Sequence, residues 1–259
     1  MNLLIGNTSQ LSNYFPDDFI KISSRNINYK NLKNYDNVYI LFAEQRTYDK
    51  SLTEDDFIDV NVNYTSKLVD NLYQVNKNII LYGTAELWNA HDGPIDIDSE
   101  IKYNYSPYIK SKEVLYHKIL NKRESGKWLN TTILHPVNFN STHRKKNFLF
   151  YKIFDSIINK NEITVGDLNI ERDIIHPSYL ADQSLVCSQD RIIGSGQVIN
   201  IRKFIISLYK NYNMEYNYYV QENSEFKSPH KNNIFWSNQK EKYNDLLKDT
   251  LDDINKREN

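Results

Sequence analysis

Two side chains that could move a proton stand four residues apart in the segment SPYIKSKEV. They are Tyr108 and Lys112, and Thr84 lies 24 residues upstream of the tyrosine in IILYGTAELW. A tyrosine hydroxyl can exchange a proton with a sugar or alcohol oxygen, and a lysine beside it would lower its pKa toward neutrality. Residues four apart share one helix face. The three groups therefore indicate a hydride-transfer enzyme in which Thr84 holds the reacting oxygen.

This tyrosine–lysine spacing is common in a chain with 20 Tyr, and it recurs at 29–33 and at 73–77. Exposed polar residues on a helix would explain any single match. Only Tyr108 follows an apolar run that ends in a small residue and a hydroxyl residue, Gly83-Thr84. Only Tyr108 opens a helix-like stretch behind a Ser-Pro start signal. This context favours Tyr108 as the functional tyrosine.

The composition bounds the class of protein. A chain of 259 residues can bury one core, or one large domain with a smaller lobe. The net charge of −1 does not indicate nucleic-acid binding. The basic run at 143–146 is interpreted as a solvated face. A single cysteine, Cys187, excludes a disulfide framework and a cysteine metal cluster, and no metal is expected.

No apolar run approaches the roughly 20 residues that a membrane helix needs. The opening segment MNLLIG has no basic start and no long apolar stretch, so it is interpreted as a strand rather than a signal peptide. We expect a soluble cytoplasmic protein with neither nucleic acid nor membrane as a partner.

Short apolar runs alternate with amphipathic stretches along the first part of the chain. Strands are predicted at 2–5, 19–23, 38–42, 78–82 and 131–135, a helix or turn at 10–15, and helices at 60–75, 108–123 and 148–159. Beyond 160 the pattern loosens, with short strands near 162–165 and 197–200 and helices near 201–209 and 243–254. This order predicts an α/β fold, a Rossmann-like doubly wound parallel sheet with a small C-terminal α/β substrate-binding lobe. Residues 1–160 would form the dinucleotide-binding domain, and 161–259 mainly the lobe, interleaved with the sheet.

The first predicted strand runs into GNTSQLS, where a dinucleotide fold places its phosphate-binding turn. Ser9 and Ser12 stand where the usual pattern has its second and third glycines, so the segment fits a cofactor turn and an ordinary loop equally well. The second strand ends in Ser23-Ser24-Arg25 without an acidic residue. Arginine and serine suit the extra phosphate of NADP, whereas a carboxylate would bind the ribose of NAD. NADP(H) is therefore predicted as the preferred cofactor, with NAD(H) possible and a solvated turn as the alternative.

Taken together, these segments resemble the extended short-chain dehydrogenase/reductase family that acts on nucleotide sugars. YDNVYILFA is similar to its fourth strand, VNVNYTSKLVDNL to its V-N-x-x-G-T-x-N-L-L helix, and TTILHPVNFN to L-R-P-x-N-V-Y-G. ITVGDLNIERDIIHPSYLAD resembles V-G-D-G-x-x-x-R-D-F-I-H-V-D-D-L-A, and IIGSGQVINIRKFI resembles the strand and helix that follow it. The likeness covers almost the whole chain.

The resemblance implies hydride transfer at the nicotinamide C4, a nucleotide-diphosphate sugar as substrate, and a homodimer formed through the tyrosine helix. Tyr108 would be the acid/base, Lys112 its electrostatic partner and ribose ligand, and Thr84 the anchor of the substrate oxygen. Substrate contacts are implied for Glu86, and for Asn138 and Arg172 at positions that meet the diphosphate. The implied cofactor contacts are Gly6, Thr8, Ser9, Gln10, Leu11, Ser24, Arg25, Ala43, Asn61, Tyr108, Lys112 and His135.

The reaction has three candidate classes. A short chain and a turn that has lost glycines suit a cofactor that exchanges every cycle, which favours an NADPH-dependent reductase of a nucleotide-linked 4-keto-6-deoxy sugar for surface polysaccharide. Glu86 stands two residues after Thr84, as in the 4,6-dehydratases, so an epimerase or dehydratase is the alternative. A non-catalytic scaffold that binds cofactor is the third hypothesis.

Overall fold

A six-stranded parallel sheet forms the centre of the protein in the computed structural model, which describes residues 1–25, 27–75, 77–144, 146, 148–223 and 233–258. In spatial order its strands are β2 (Ile20–Ile22), β1 (Asn2–Ile5), β3 (Asn37–Ile40), β4 (Asn78–Tyr82), β6 (Thr131–Pro136) and β11 (Arg191–Ile193). Each neighbouring pair is parallel. The central strands are almost entirely buried, which explains why they are continuous apolar runs in the sequence.

Helices flank this sheet, and the predicted Rossmann-like α/β fold is confirmed. Their bounds are α1 (Glu54–Ile58), α2 (Thr65–Gln74), α3 (Pro107–Glu124), α4 (Leu149–Asn159), α5 (Pro177–Val186), α6 (Ile201–Asn211), α7 (Tyr216–Tyr219) and α8 (Leu246–Glu258). A π-helical stretch at Asp59–Tyr64 joins α1 to α2. Both α1 and the π-helical stretch pack against α3. Short 3-10 helices occupy Gln10–Tyr14, Tyr29–Asn34 and Ala85–Trp88.

The helical stretch predicted from residue 60 begins earlier, at Glu54. Its start is a capping box: the Thr53 hydroxyl accepts a hydrogen bond from the backbone amide of Asp56, whose carboxylate accepts one from the Thr53 amide at 2.7 Å. Three of the first turn's side chains are acidic and exposed. A prediction from apolar spacing misses such a turn because the turn buries little.

The turn after β1 leads into a 3-10 helix of five residues rather than a full α-helix. Ser12 is buried there, and its hydroxyl donates to the carbonyls of Asn7, at 2.9 Å, and Ser9, at 2.6 Å. The serine in the place of the third glycine therefore closes the turn on itself. A helix this short has only a weak dipole to offer a pyrophosphate.

Small two-stranded ladders complete the fold around the lobe. They pair β5 (Gly93–Ile95) with β14 (Phe235–Ser237), β7 (Asn138–Phe139) with β10 (Ile174–Ile175), β8 (Ile163–Val165) with β13 (Val220–Glu222), and β9 (Glu171–Arg172) with β12 (Ile199–Asn200). The chain beyond 160 also supplies β11 of the main sheet and α5, which packs on the 3-10 helix Gln10–Tyr14.

A buried carboxylate on α8 ties the end of the chain to the segment after β1. Asp253 accepts hydrogen bonds from the Tyr14 hydroxyl at 2.6 Å and from the Thr142 hydroxyl at 3.0 Å. The Nε2 atom of His176 lies 3.5 Å from the same carboxylate. Although burial alone would raise the pKa of Asp253, these donors lower it to about 2. The lobe and the sheet thus share one polar anchor.

Candidate active site

A cavity of about 260 Å³ opens at the carboxyl ends of β1, β3, β4 and β6. From β1 the chain turns to β2 on one side and then crosses to β3 on the other, and parallel α/β sheets bind their ligands at such a reversal. Small-molecule sites span roughly 300–1,000 Å³. This cavity can therefore enclose the reacting parts of a larger ligand, with the remainder outside it.

Nine residues predicted for the site line this cavity: Ser9, Gln10, Leu11, Ala43, Thr84, Glu86, Tyr108, Lys112 and Asn138. The other predicted contacts, Gly6, Thr8, Ser24, Arg25, Asn61, His135 and Arg172, lie outside its described lining. The proton-transfer candidates thus all line the cavity, whereas only some of the predicted cofactor contacts do.

Thr84 follows β4 directly and is 6 % exposed. Its hydroxyl oxygen accepts a hydrogen bond from the Glu86 amide at 3.2 Å, which caps the 3-10 helix Ala85–Trp88. The Nδ1 atom of His135 lies 3.3 Å from both the backbone nitrogen and the carbonyl oxygen of Thr84. A Cβ atom on Gly83 would overlap the imidazole of His135, so glycine is needed beside Thr84.

The predicted contact of His135 with the cofactor stays a prediction, and in the structure this residue lies behind Thr84. Its side chain is fully buried and packs edge-on against the rings of Trp88 and Tyr116. Burial lowers the pKa of His135 to about 4, so the imidazole is neutral. The neutral imidazole therefore positions the Thr84 backbone through its Nδ1 atom.

Tyr108 enters the cavity from the first turn of α3. Ser106 caps this helix by accepting a hydrogen bond from the Ile109 amide at 3.2 Å, and Pro107 occupies its first turn. The Tyr108 and Thr84 side chains both line the cavity, and Thr84 acts to lower the pKa of Tyr108. One turn later, the Nζ atom of Lys112 lies 5.9 Å from the centroid of the tyrosine ring.

Burial dominates the electrostatics of the pair. It raises the pKa of Tyr108 to about 12, with Glu86 adding to the rise and Thr84 and Arg144 opposing it. The expected lowering of the tyrosine pKa is therefore not what this structure has. Lys112 is only 4 % exposed, burial lowers its own pKa to about 8, and Nζ donates to the Tyr82 carbonyl at 2.8 Å. At neutral pH, Tyr108 carries its proton.

Two of the three predicted substrate contacts, Glu86 and Asn138, lie together in the cavity lining. The Glu86 carboxylate accepts a hydrogen bond from Asn89 at 2.9 Å and another from Asn138 at 3.4 Å. Arg172 lies outside this lining; burial lowers its pKa, and the charge of Glu86 opposes this change. A carboxylate and an amide thus meet in the cavity that Thr84 also lines.

Gly6 and Gln10 shape the opposite end of the site. Gly6 has a φ of +112°, and a Cβ atom there would lie 2.9 Å from the backbone nitrogen of Phe42, so the close approach of two strand ends requires glycine. The Gln10 Oε1 atom is buried and has no hydrogen-bond partner within the described residues. It is an acceptor that a bound ligand could satisfy.

Asn61 lies outside the cavity lining and contacts a loop that borders the site, so its predicted contact with the cofactor stays a prediction. Its side-chain oxygen accepts from the Glu44 amide at 2.7 Å, and its Nδ2 atom lies 2.9 Å both from the Glu44 carbonyl and from the Ser111 hydroxyl. The residue thereby clamps the loop after β3 to α3. It stands in the π-helical stretch, a geometry frequent at functional sites.

Thr8 and Arg25 are exposed, and Ser24 is partly exposed. Ser24 and Arg25 follow β2, where the Ser23 hydroxyl oxygen accepts from the Arg25 amide at 3.2 Å. These side chains stand at the carboxyl end of an edge strand, away from Tyr108. Their contact with a cofactor stays a prediction.

The sequence interpretation missed Arg144, which lines the cavity. Its guanidinium carbon lies 4.1 Å from the centroid of the Phe148 ring, and Nη1 donates to the Phe139 carbonyl at 3.2 Å. The solvated-face interpretation is wrong for this residue, although His143 and Lys146 on either side are exposed. The available sequence signal was the pair Phe139 and Phe148, five residues before and four residues after Arg144, because aromatic rings at these positions can cover its guanidinium.

Comparison with known proteins adds a family and a fold. A model of the NAD dependent epimerase/dehydratase family matches residues 18–201. No protein of curated function matches the chain in sequence. The structure resembles RMD from Pseudomonas aeruginosa complexed with NADPH, with a TM-score of 0.76, 14% identity and coverage of 99% of each chain.

Two further structures share the fold. One is a UDP-N-acetylglucosamine 4-epimerase from Methanobrevibacter ruminantium in complex with UDP-N-acetylmuramic acid, with a TM-score of 0.79 and 13% identity, covering 99% of this chain and 98% of that one. The other is DesIV, a dTDP-glucose 4,6-dehydratase from Streptomyces venezuelae, with a TM-score of 0.75 and 15% identity, covering 100% of this chain and 98% of that one. Among the described residues there is neither a cluster of potential metal ligands nor a helix able to cross a membrane.

The buried ammonium of Lys112 should cost stability. Its pKa falls from 10.5 to about 8 on folding, and at 1.4 kcal/mol per unit this is a penalty of about 3 kcal/mol at neutral pH. Lys112→Met removes the charge but leaves the Tyr82 carbonyl without its donor. We expect the unfolding free energy at pH 7 to rise by about 1–2 kcal/mol, measured by urea denaturation.

The pH dependence has a defined sign. Between pH 8 and 10.5 the unfolded state binds more protons at Lys112 than the folded state, so wild-type stability should gain from this residue as pH rises through that window. Lys112→Met should lack the gain, and Lys118→Met, a partly exposed neighbour on α3, should keep it. A Lys112→Met protein that is less stable at pH 7 would contradict this account.

Proposed function

The chain belongs to the NAD dependent epimerase/dehydratase family, whose members are nicotinamide-dependent enzymes of the short-chain dehydrogenase/reductase type, and we propose that it is an NADPH-dependent reductase of a nucleotide-linked 4-keto-6-deoxy sugar. One observation carries the proposal. Tyr108 lines one cavity together with Thr84 and Lys112, and its hydroxyl carries a proton at neutral pH. Carbonyl reduction begins with such a donor, whereas oxidation of a sugar hydroxyl begins with a tyrosinate.

The chain's residues fit the reacting end of a nicotinamide dinucleotide. Gln10 offers an unsatisfied acceptor, Ala43 is small, and Lys112 carries a charge at the cavity wall. Together with Ser9 and Leu11 they would hold the group. When bound, it supplies the hydride.

Thr84 and Tyr108 would divide the work on the substrate carbonyl. The Thr84 hydroxyl holds the carbonyl oxygen in place, and Tyr108 gives it a proton as the carbon gains the hydride. Both side chains line the same cavity, so one substrate oxygen could contact both hydroxyls.

Asn138 and Arg172 would hold the diphosphate of the nucleotide. Asn138 lines the cavity beside Glu86, and the charge of Glu86 acts on Arg172, which lies outside the lining. A guanidinium suits a phosphate because its fork presents two parallel donors. The exposed Arg25 at the end of β2 would meet the 2′-phosphate of NADPH. The product, a nucleotide-linked 6-deoxy sugar with a hydroxyl at C4, would serve surface polysaccharide synthesis.

An epimerase or a 4,6-dehydratase is the second candidate, and the place of Glu86 favours it. This carboxylate lines the cavity two residues after Thr84, where a base could reach a sugar C5 proton. Both of its oxygens, however, accept hydrogen bonds from Asn89 and Asn138. That arrangement supports a role in holding the wall.

A homodimer through α3 also stays a proposal. The outer face of α3 carries an open groove of about 650 Å³, lined largely by polar and charged side chains: Lys110, Glu113, Val114, His117, Lys118, Asn121, Lys122, Ser125 and Lys127. A dimer formed there would have a polar interface.

Glu86→Gln separates the two reactions. A reductase needs no base beside Thr84, so the variant should keep its rate within about tenfold, whereas loss of a general base typically costs ~10²–10⁴-fold. The measurement is NADPH absorbance with nucleotide 4-keto-6-deoxy sugars, together with product quantification. The wild type should consume one NADPH per product formed.

Glu100→Gln, an exposed carboxylate nearby in sequence, is the matched control and should be unchanged. Conversion of a 4-hydroxyl sugar nucleotide to its 4-keto-6-deoxy form, without net cofactor use and abolished by Glu86→Gln, would replace the proposal with the dehydratase. No affinity for either dinucleotide would leave the scaffold hypothesis.

Arg25→Ala tests the cofactor preference. A charge-assisted contact with the 2′-phosphate is worth about 1.5–3 kcal/mol, so NADPH binding should weaken by roughly tenfold or more while NADH binding changes little. Dissociation constants come from nicotinamide fluorescence, with the exposed Lys30→Ala as control. Equal losses for both cofactors, or tighter NADH binding by the wild type, would refute the NADP assignment.

A further inference from the structure

We propose that Arg144 is a second cation of the active site, which stabilises the tyrosinate left on Tyr108 when its proton passes to the substrate. The proposal rests on the reductase function and adds a residue to it. Lys112 is the lysine of the tyrosine–lysine pair; Arg144 comes from a different segment, the loop after β7, and lines the same cavity as Tyr108.

The geometry of Arg144 points into the site. Its guanidinium lines the cavity together with Thr84 and Tyr108, stacked on the ring of Phe148 and anchored by one hydrogen bond to the Phe139 carbonyl. Within the described part of the chain, no carboxylate forms an ion pair with it. A guanidinium removed from water and left without an anion is costly, which is characteristic of a functional position.

The charges of Arg144 and Tyr108 influence each other's pKa. The guanidinium opposes the burial that raises the pKa of Tyr108, and the tyrosinate would in turn oppose the burial that lowers the pKa of Arg144 to about 10. At neutral pH the arginine is therefore charged. A positive charge held near the hydroxyl favours its ionised form.

Lys112 is less well placed for this task. Its Nζ atom donates to the Tyr82 carbonyl and lies beside the tyrosine ring, and burial brings its pKa to about 8. The remaining groups that face Tyr108 are the Thr84 hydroxyl, the Glu86 carboxylate, which disfavours the tyrosinate, and the apolar ring of Phe57. Arg144 is thus the cation that balances Glu86.

The step is balanced without any further reactant. A bound reduced nicotinamide would supply the hydride that the carbonyl carbon takes up. The O–H bond of Tyr108 would break, and its proton would join the carbonyl oxygen to form the alcohol. Negative charge moves to the phenol oxygen, where Arg144 stabilises it until solvent returns a proton. The guanidinium keeps its protons throughout.

A titration of residue 108 tests the proposal without any substrate, so it stands apart from the success of the reductase assignment. A fluorinated tyrosine, whose hydroxyl is more acidic, is placed at position 108 and its pKa is read by fluorine NMR. Arg144→Gln should raise this pKa by about one unit. Arg144→Lys should keep most of the effect, and Lys146→Gln, an exposed neighbour, should change nothing.

An unchanged titration in Arg144→Gln would overturn the proposal, and so would an equal shift in Lys146→Gln, which would indicate general surface charge. Kinetics supply the second arm. Arg144→Gln should lower kcat by tenfold or more at saturating cofactor, with partial rescue by Arg144→Lys. If the variant instead weakens cofactor binding and keeps its kcat, Arg144 is a cofactor ligand and the proposal fails.

Discussion

The packing of the His135 imidazole under Gly83 fixes where the reacting groups lie. Because residue 83 has no side chain, the neutral ring comes within hydrogen-bond distance of the Thr84 backbone. Trp88 and Tyr116 hold the ring edge-on, so it has little freedom to move. Thr84 then presents its hydroxyl to Tyr108, and the cavity forms around that pair.

Desolvation is the second constraint, and it explains why the site holds so many perturbed groups. Burial raises the pKa of Tyr108 while lowering those of Lys112 and Arg144. The shifts at Lys112 and Arg144 oppose charges that these groups carry at neutral pH and therefore weaken folding, whereas Tyr108 is neutral there and its shift carries no such cost. The same dry surroundings strengthen the interaction of nearby groups with charge that develops during proton transfer. Desolvated ionisable groups are thus tolerated in the site, whereas the core consists of apolar side chains, as expected of a protein with a functional site.

The fold and part of the site could be predicted from the sequence. β1 and β4 match their predicted bounds because central parallel strands are short apolar runs, and the Thr84–Tyr108–Lys112 cluster follows from helix spacing and strand ends. Arg144 was missed because its burial depends on Phe148 and a loop that no local period encodes. The buried position of the His135 side chain could not be predicted from the sequence, because it depends on which other elements pack against that face of the strand.

Hydride transfer by Tyr108→Phe is the most direct test of the central claim, that a protonated Tyr108 in the cavity supplies the proton for carbonyl reduction. NADPH oxidation is followed in a single turnover with a nucleotide 4-keto-6-deoxy sugar, for the wild type and the variant. The account predicts a loss of ~10²–10⁴-fold in rate with the fold and the cofactor dissociation constant nearly unchanged. A variant that keeps more than half of the wild-type rate would contradict it.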